Sequence, residues 1–393
     1  VKLSAVESRG LIQPGVKAAV ADLQRRAGGD LNLIQIVVAE QVTWRDTSLG
    51  CPGPGVFYAQ VLTPGIWLIL IYQQLKFDYR IAGSQTLFCD GRQLAEPLER
   101  QPLEGLWARL SPLPTPRSEV AAAELNGKLY VFGGFGPGAT ANEEYDPLTN
   151  TWRHRAPVPR GVDHATAAAI GGKIYLIGGF DGRFGPVKTN WAYDPDTDSW
   201  TRKADMPTPR GALGAAVVSG KIYAIGGQGP AGDVGTVEEY DPATDAWRPR
   251  ASMPTPRDHL AIAVVGGNIY VIGGRLGSFA RNLGDNEEYD PKTDRWVKKA
   301  PLPTPRSGIA AAVVDGKIYV LGGEATGVTF DANERYDPAT DRWKPAPPLP
   351  TARHGLGAIA LGNRIYVLAG GPTPGGSQGA LNEVFIVLGG TGR

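Results

Sequence analysis

Lys317-Ile318-Tyr319-Val320-Leu321-Gly322-Gly323, followed by Tyr336-Asp337-Pro338 and Trp343, is the stretch that decides the fold. A short apolar run closed by two glycines reads as a buried strand ending in a turn that needs positive φ. The same order of landmarks recurs along the chain. Glycine pairs stand at Gly133-Gly134, Gly178-Gly179, Gly226-Gly227, Gly273-Gly274, Gly322-Gly323 and Gly370-Gly371. Tyr-Asp-Pro begins at Tyr145, Tyr193, Tyr240, Tyr289 and Tyr336, and Trp follows at Trp152, Trp200, Trp247, Trp296 and Trp343. A period of about 45 residues built only of strand-like segments predicts a ring of four-stranded blades.

The glycine pair, the Tyr six or seven residues before a Trp, and the period resemble the kelch repeat. The resemblance implies an all-β six-bladed kelch β-propeller over 106–393, preceded by a small α+β domain over 1–90 and a linker over 91–105. Position 391, where a sixth Trp is due, lies in Gly389-Gly390-Thr391, and Phe385 stands near the expected Tyr. Trp107 precedes Trp152 by one period. The strand around Trp107 is therefore expected to complete the last blade and close the ring, leaving no open sheet edge there.

Asn126-Gly127, Gly171-Gly172, Ser219-Gly220, Gly266-Gly267, Asp315-Gly316 and Gly362-Asn363 predict two-residue hairpins between strands a and b of each blade. They share one uniform face with the Asp-Pro turns between strands c and d. The opposite face collects the b–c loops, which vary in length and composition, and the d–a loops; binding is expected there. Each d–a loop carries an arginine: Arg117, Arg160, Arg210, Arg257, Arg306 and Arg353. Two readings stay open. In one, these arginines are framework, paired with strand-c Glu143, Glu238, Glu287, Glu334 and Glu383, with Trp191 standing at that place in the second blade. In the other, they ring the channel mouth and accept a carboxylate, sugar acid or acidic peptide. Guanidinium groups about 10 Å apart in water repel by only ~0.4 kcal/mol per pair. Some kelch propellers recognise acidic peptides through arginines at this place in the repeat, which is what the resemblance implies here.

His164, His259 and His354 follow these arginines and are expected near the mouth, spread around the ring too widely to share a metal. No cofactor is expected. Galactose oxidase-like kelch enzymes need a cysteine-modified tyrosine beside copper, and no cysteine lies in the propeller. Sialic acid epimerases are small kelch propellers, so a sugar-acid isomerase is an alternative activity. Blades as alike as Met206–Arg210, Met253–Arg257 and Leu302–Arg306 favour a non-catalytic platform for a protein or glycan ligand. A purely structural spacer is a third reading.

Residues 12 to 28 predict an amphipathic helix with Val16, Val20, Leu23 and Ala27 on its apolar face, stopped by Gly28-Gly29. Strands are expected over 33–42, 56–63, 66–72, 76–81 and 86–89. Val42–Gly55 resembles a short module of uncharacterised secreted bacterial proteins, from which Arg45 departs, the usual residue after the Trp being Pro. Cys51 and Cys89 are the only cysteines, and either a disulfide or two free thiols fits them. Pairing suits an extracytoplasmic location; no leader is visible, and the chain begins at Val1 rather than Met. The longest apolar run, Ile66–Tyr72, is too short to cross a bilayer. The 40 basic and 39 acidic residues show no basic patch, which argues against nucleic acid. A monomer is expected.

Overall fold

The computed structural model describes residues 1–28, 30–90 and 96–388. Gly29, the first part of the expected linker (91–95) and the site of the absent sixth Trp (389–391) lie outside them. The chain divides into two compact units, Val1–Leu110 with the chain from Val384 on, and Ser111–Glu383.

In the first unit, five antiparallel strands run in the order Gln85–Cys89, Leu75–Ala82, Thr63–Tyr72, Gln35–Trp44, Glu99–Pro102. The helix Pro14–Ala27 begins on its proline, where a missing N–H costs nothing, and ends on Gly28 at φ 62°. It buries Val16, Ala19, Val20 and Leu23 against the two strands farthest from Glu99–Pro102. A further short helix, Ala5–Gly10, starts in a capping box between Ser4 and Glu7. Two expectations need correction. Residues 56–62 form no strand, because Pro52, Gly53, Pro54 and Gly55 lead into a turn and Phe57 stays fully exposed. Part of the presumed linker, Glu99–Pro102, is the edge strand beside Gln35–Trp44. Inside, Arg80 bonds Asp78 at 2.7 Å and is held between Trp44 and Trp67, at 4.6 and 4.4 Å from their centroids. Cys51 and Cys89 are joined in a disulfide, Cα atoms 5.9 Å apart.

The blades are four-stranded antiparallel sheets. The third, for example, runs Gly214–Val218, Lys221–Ile225, Val237–Asp241, Ala246–Arg250 from inside to outside. Six inner strands, Ala121–Leu125, Thr166–Ile170, Gly214–Val218, Ala261–Val265, Ala310–Val314 and Gly357–Leu361, each contact the next, and the last contacts the first. They line a narrow channel of about 280 Å³, walled largely by alanine and aliphatic side chains. The sixth sheet takes Gly105–Arg109 as its outermost strand, beside Asn382–Val387, and Trp107 packs on Phe385 at 5.0 Å between ring centroids.

The Tyr-Asp-Pro and Trp landmarks latch each blade to the one before it. In blade three, Tyr240 donates to Asp245 at 2.6 Å. Asp245 also accepts the amide of Ala204, just past the outer strand of blade two, at 2.8 Å. Trp247 donates to the carbonyl of that same alanine at 2.8 Å. The same triad recurs with Asp198 on Ala156, Asp294 on Ala251 and Asp341 on Ala300. Asn150 replaces the aspartate in blade one, on Ser111. The glycine pairs supply the other recurrent device. Their second members have φ between 94° and 117°, open only to glycine, because the following residue must turn back toward the d–a loop. In blade six the pair is Ala369-Gly370, one residue earlier than Gly370-Gly371: Gly370 donates to Arg117 O as Gly323 does to Arg353 O.

Candidate functional site

Five arginines of the expected mouth point inward, to framework. Arg117, Arg210, Arg257, Arg306 and Arg353 are fully buried. They pair with Glu143, Glu238, Glu287, Glu334 and Glu383 respectively. Each also donates to backbone carbonyls of its own blade, as Arg257 does to Thr255 O at 2.8 Å and Val271 O at 2.9 Å. Burial pushes the guanidinium pKa of Arg117, Arg210 and Arg306 down, and the paired glutamate opposes it. Arg160 is different. It is exposed and bonds Asp181 at 3.1 Å. Gly134 donates to Val162 O just as Gly179 donates to Arg210 O, so Val162, two residues later, occupies the buried arginine position of the second blade. Trp191 takes the glutamate position of the same blade. An apolar pair thus replaces the ion pair in one blade of six, as the desolvation cost of buried charges permits.

Two residues past the arginine position lies a second ring: Glu119, His164, Ala212, His259, Gly308 and Gly355. All six have φ between 51° and 62°. They are joined head to tail, each of His164, Ala212, His259, Gly308 and Gly355 donating its amide to the carbonyl of the member before it. This left-handed turn aims each side chain at the axis, where the channel opens. Between the two rings stand Ser118, Asp163, Gly211, Asp258, Ser307 and His354. These are bridged to the residues after the glycine pairs, namely Phe135, Phe180, Gln228, Arg275, Glu324 and Gly371. The blades share a framework and differ at these places.

The histidines are not spread around the ring. His164 and His259 stack edge to face with centroids 4.9 Å apart, because ring positions two blades away converge on the axis. His164 Nδ1 lies 2.6 Å from Asp163 Oδ1, and its Nε2 lies 3.5 Å from Glu119 Oε2. His354 Nδ1 lies 3.0 Å from Glu119 Oε1, and its Nε2 lies 3.0 Å from Thr373 O. Both nitrogens of these two rings therefore face acceptors. Burial pushes their pKa values down, but the surrounding oxygens, Glu119 foremost, outweigh it and raise them. Burial likewise pushes Glu119 up, while the three histidines hold its carboxyl well below the usual range.

His259 behaves in the opposite way. Arg275 Nη2 lies 2.9 Å from His259 Nε2. Guanidinium only donates, so Nε2 carries a lone pair and Nδ1 the proton, toward Asp258 Oδ1 at 3.0 Å. Burial and then Arg275 lower its pKa accordingly. Arg275 is itself fixed by Glu324 at 3.0 Å and lies over Phe279 at 4.1 Å. Asp233, from a b–c loop, is pushed up to about 6 by burial and by neighbouring Asp258.

Above this floor opens a cup of about 290 Å³, with Phe135, Phe184 and Phe279 on its walls and Gly375-Gly376 completing the rim. Phe135 and Phe184 stack at 6.1 Å. Glu119, Arg275, Glu324, Asp258 and Phe184 were not singled out as site residues from the sequence; of the expected ones, His164 and His259 line the cup and His354 is buried against Glu119.

Comparison with known proteins agrees with this framework. Residues 106–251 and 248–371 match the KLHDC2/KLHL20/DRC7 Kelch-repeats domain. The chain belongs to the kelch-repeat family. Residues 16–89 of this kelch-repeat protein match a domain of unknown function (DUF8738). A solved structure titled "Structure of YjhT" is similar to the chain with a TM-score of 0.64 at 20% identity. The similarity covers 72% of this chain and 98% of that one, and shows the fold. No curated protein matches. The kelch propeller supports a binding role.

Proposed function

We propose that this kelch-repeat protein is a non-catalytic binding protein whose cup takes one saccharide-sized, polar end of a glycan. The observation that carries the reading is the joining, in one concavity, of phenyl faces with a floor of fixed donors and acceptors. Phe135, Phe184 and Phe279 offer apolar surface to the C–H faces of a sugar ring. Arg275, Glu119 and Glu324 offer directed hydrogen bonds to its hydroxyls or to an acidic substituent. The volume sits near the lower end of the range for ligand pockets, about 300–1,000 Å³, which limits the inserted part to about one ring. Among the described residues no helix is long and apolar enough to cross a membrane. The Cys51–Cys89 bond favours an extracytoplasmic location, since disulfides persist in oxidising compartments.

Titration calorimetry with a panel of neutral and acidic monosaccharides and short glycans tests the proposal. Phe184, 63% exposed, is replaceable without loss of core. Phe184→Ala is expected to weaken binding at least several-fold. Absence of heat with every saccharide, or affinity untouched by Phe184→Ala, overturns the assignment.

A second reading, isomerisation of a sugar acid, is favoured by the Asp163–His164–Glu119 chain, which can carry a proton between two carboxylates through one imidazole. Anomer exchange followed by proton NMR separates the two. Acceleration by the wild type that Glu119→Gln abolishes makes the cup an active site. Binding without acceleration leaves it a receptor.

A further inference from the structure

We propose that the floor of the cup is a binding site for one divalent first-row transition metal of the zinc class, ligated by Glu119 Oε2, His164 Nε2 and His259 Nε2. Among the described residues, ligand atoms of these three lie within 4.8 Å of one another. His164 Nε2 and Glu119 Oε2 are 3.5 Å apart. Tetrahedral ligands at 2.0–2.1 Å from zinc are separated by about 3.4 Å, so this edge is already set.

The second observation is the shell behind the ligands. Metal-bound histidines commonly direct the other nitrogen to a carboxylate, which fixes ring orientation and leaves the remaining lone pair aimed at the ion. Both histidines here follow an aspartate: Asp163 bonds Nδ1 of His164 at 2.6 Å, and Asp258 Oδ1 lies 3.0 Å from Nδ1 of His259. His354 occupies the other oxygen of Glu119 at 3.0 Å, leaving Oε2 to the site. The Asp-His pair thus occurs twice, in blades two and four, at ring positions that blade one fills with Glu119 and the other three with Ala212, Gly308 and Gly355. The donor set, two imidazoles and one carboxylate, suits zinc, cobalt or nickel and not calcium or magnesium, which take oxygen ligands.

Arg275 adjoins the site and donates to His259 Nε2 at 2.9 Å. Metal binding requires this bond to yield; Arg275 also pairs with Glu324 at 3.0 Å and with Asp258 at 3.3 Å, through its other two nitrogens. Three protein ligands leave a fourth position, directed into the cup, for water or a ligand oxygen. The inference stands on this geometry and not on the saccharide reading. Metal titration without sugar tests the one, and sugar titration of chelator-treated protein tests the other.

The experiment adds Co²⁺ to the full chain after dialysis against a chelator, and reads visible d–d absorption together with displacement by Zn²⁺. One Co²⁺ per chain with the strong absorption of four- or five-coordination is expected. His164→Ala and His259→Ala are expected to abolish it. These variants place alanine where Ala212 already holds the same φ, so they retain a backbone the ring tolerates. Asp163→Asn is expected to weaken binding 10–100-fold. His154→Ala, at an exposed histidine, leaves it unchanged. Weak octahedral absorption, stoichiometry well below one, or equal binding by the His164→Ala and His259→Ala variants, each shown folded by circular dichroism, overturns the proposal.

Discussion

Replacing Glu287 by Gln isolates the worth of the buried charge pairs that support each blade. Arg257 is fully buried, and Glu287 Oε2 accepts from its Nη1 at 2.6 Å while Thr255 donates to Oε1 at 2.8 Å. Glutamine keeps the volume and one acceptor but leaves the guanidinium without a counter-charge. Breaking one partner of a buried pair costs about 3–5 kcal/mol, and the carbonyls of Thr255 and Val271 still solvate Arg257, so a loss of about 3 kcal/mol is expected. Blade two shows what relieves it, since Val162 and Trp191 stand at these two positions. The double substitution Arg257→Val with Glu287→Trp removes both charges together. It is expected to be less destabilising than Glu287→Gln alone, the residual loss being overpacking of about 1–3 kcal/mol. Equilibrium guanidinium denaturation followed by tryptophan fluorescence measures both, with slopes compared to confirm a common transition. A cost below about 1 kcal/mol for the single change, or a double variant no better than the single, refutes the argument that the pair is held by mutual neutralisation.

Asp233, with its folded pKa raised from 3.8 to about 6, binds its proton more tightly in the folded state. Its contribution is therefore favourable at low pH and lost as pH rises through that window. Asp233→Asn is expected to be more stable than wild type at pH 7.5 by roughly 1–2 kcal/mol, with the gap closing near pH 4, as melting curves across pH will show. Cys51→Ser with Cys89→Ser opens a loop of 38 residues, and the chain-entropy relation gives a loss of about 4 kcal/mol for the first unit. Thermal unfolding of the oxidised protein and the variant measures it, and equal midpoints would count against the disulfide. Trp247→Phe removes the donor to Ala204 O between blades and is expected to cost about 1–2 kcal/mol, hydrogen bond and lost area together, by denaturant midpoint.

The propeller was legible because its landmarks are framework, repeated for the same physical reasons five times for the Tyr-Asp-Pro and Trp and six for the glycine pairs. Tyr240, Asp245 and Trp247 recur because each blade must latch onto its predecessor, and the glycines recur because one turn admits nothing else. The site was only partly legible. Histidines 95 residues apart in sequence (His164 and His259) meet because inner positions converge on an axis, and linear spacing carries no measure of that convergence. Arg160 misled because it follows a proline as Arg117, Arg210, Arg257 and Arg306 do, while the hydrogen-bond register sets the buried position at Val162. In the first unit, valine and phenylalanine between 56 and 62 suggested a strand, yet the Pro-Gly run before them holds the segment away from the sheet.

The ring Glu119, His164, Ala212, His259, Gly308, Gly355 also bears on how such a gene changes. Blades three and four share Met-Pro-Thr-Pro-Arg at 206–210 and 253–257, the sort of near-identity that invites misaligned recombination. An exchange that copied blade three over blade four would write Gly211, Ala212 and Gln228 over Asp258, His259 and Arg275. The product keeps every latch and every buried arginine of the copied blade, folds as a propeller, and has lost one histidine, its aspartate and the arginine from the cup. In this molecule the residues that line the cup can change without touching those that hold the fold, and they amount to a handful of codons.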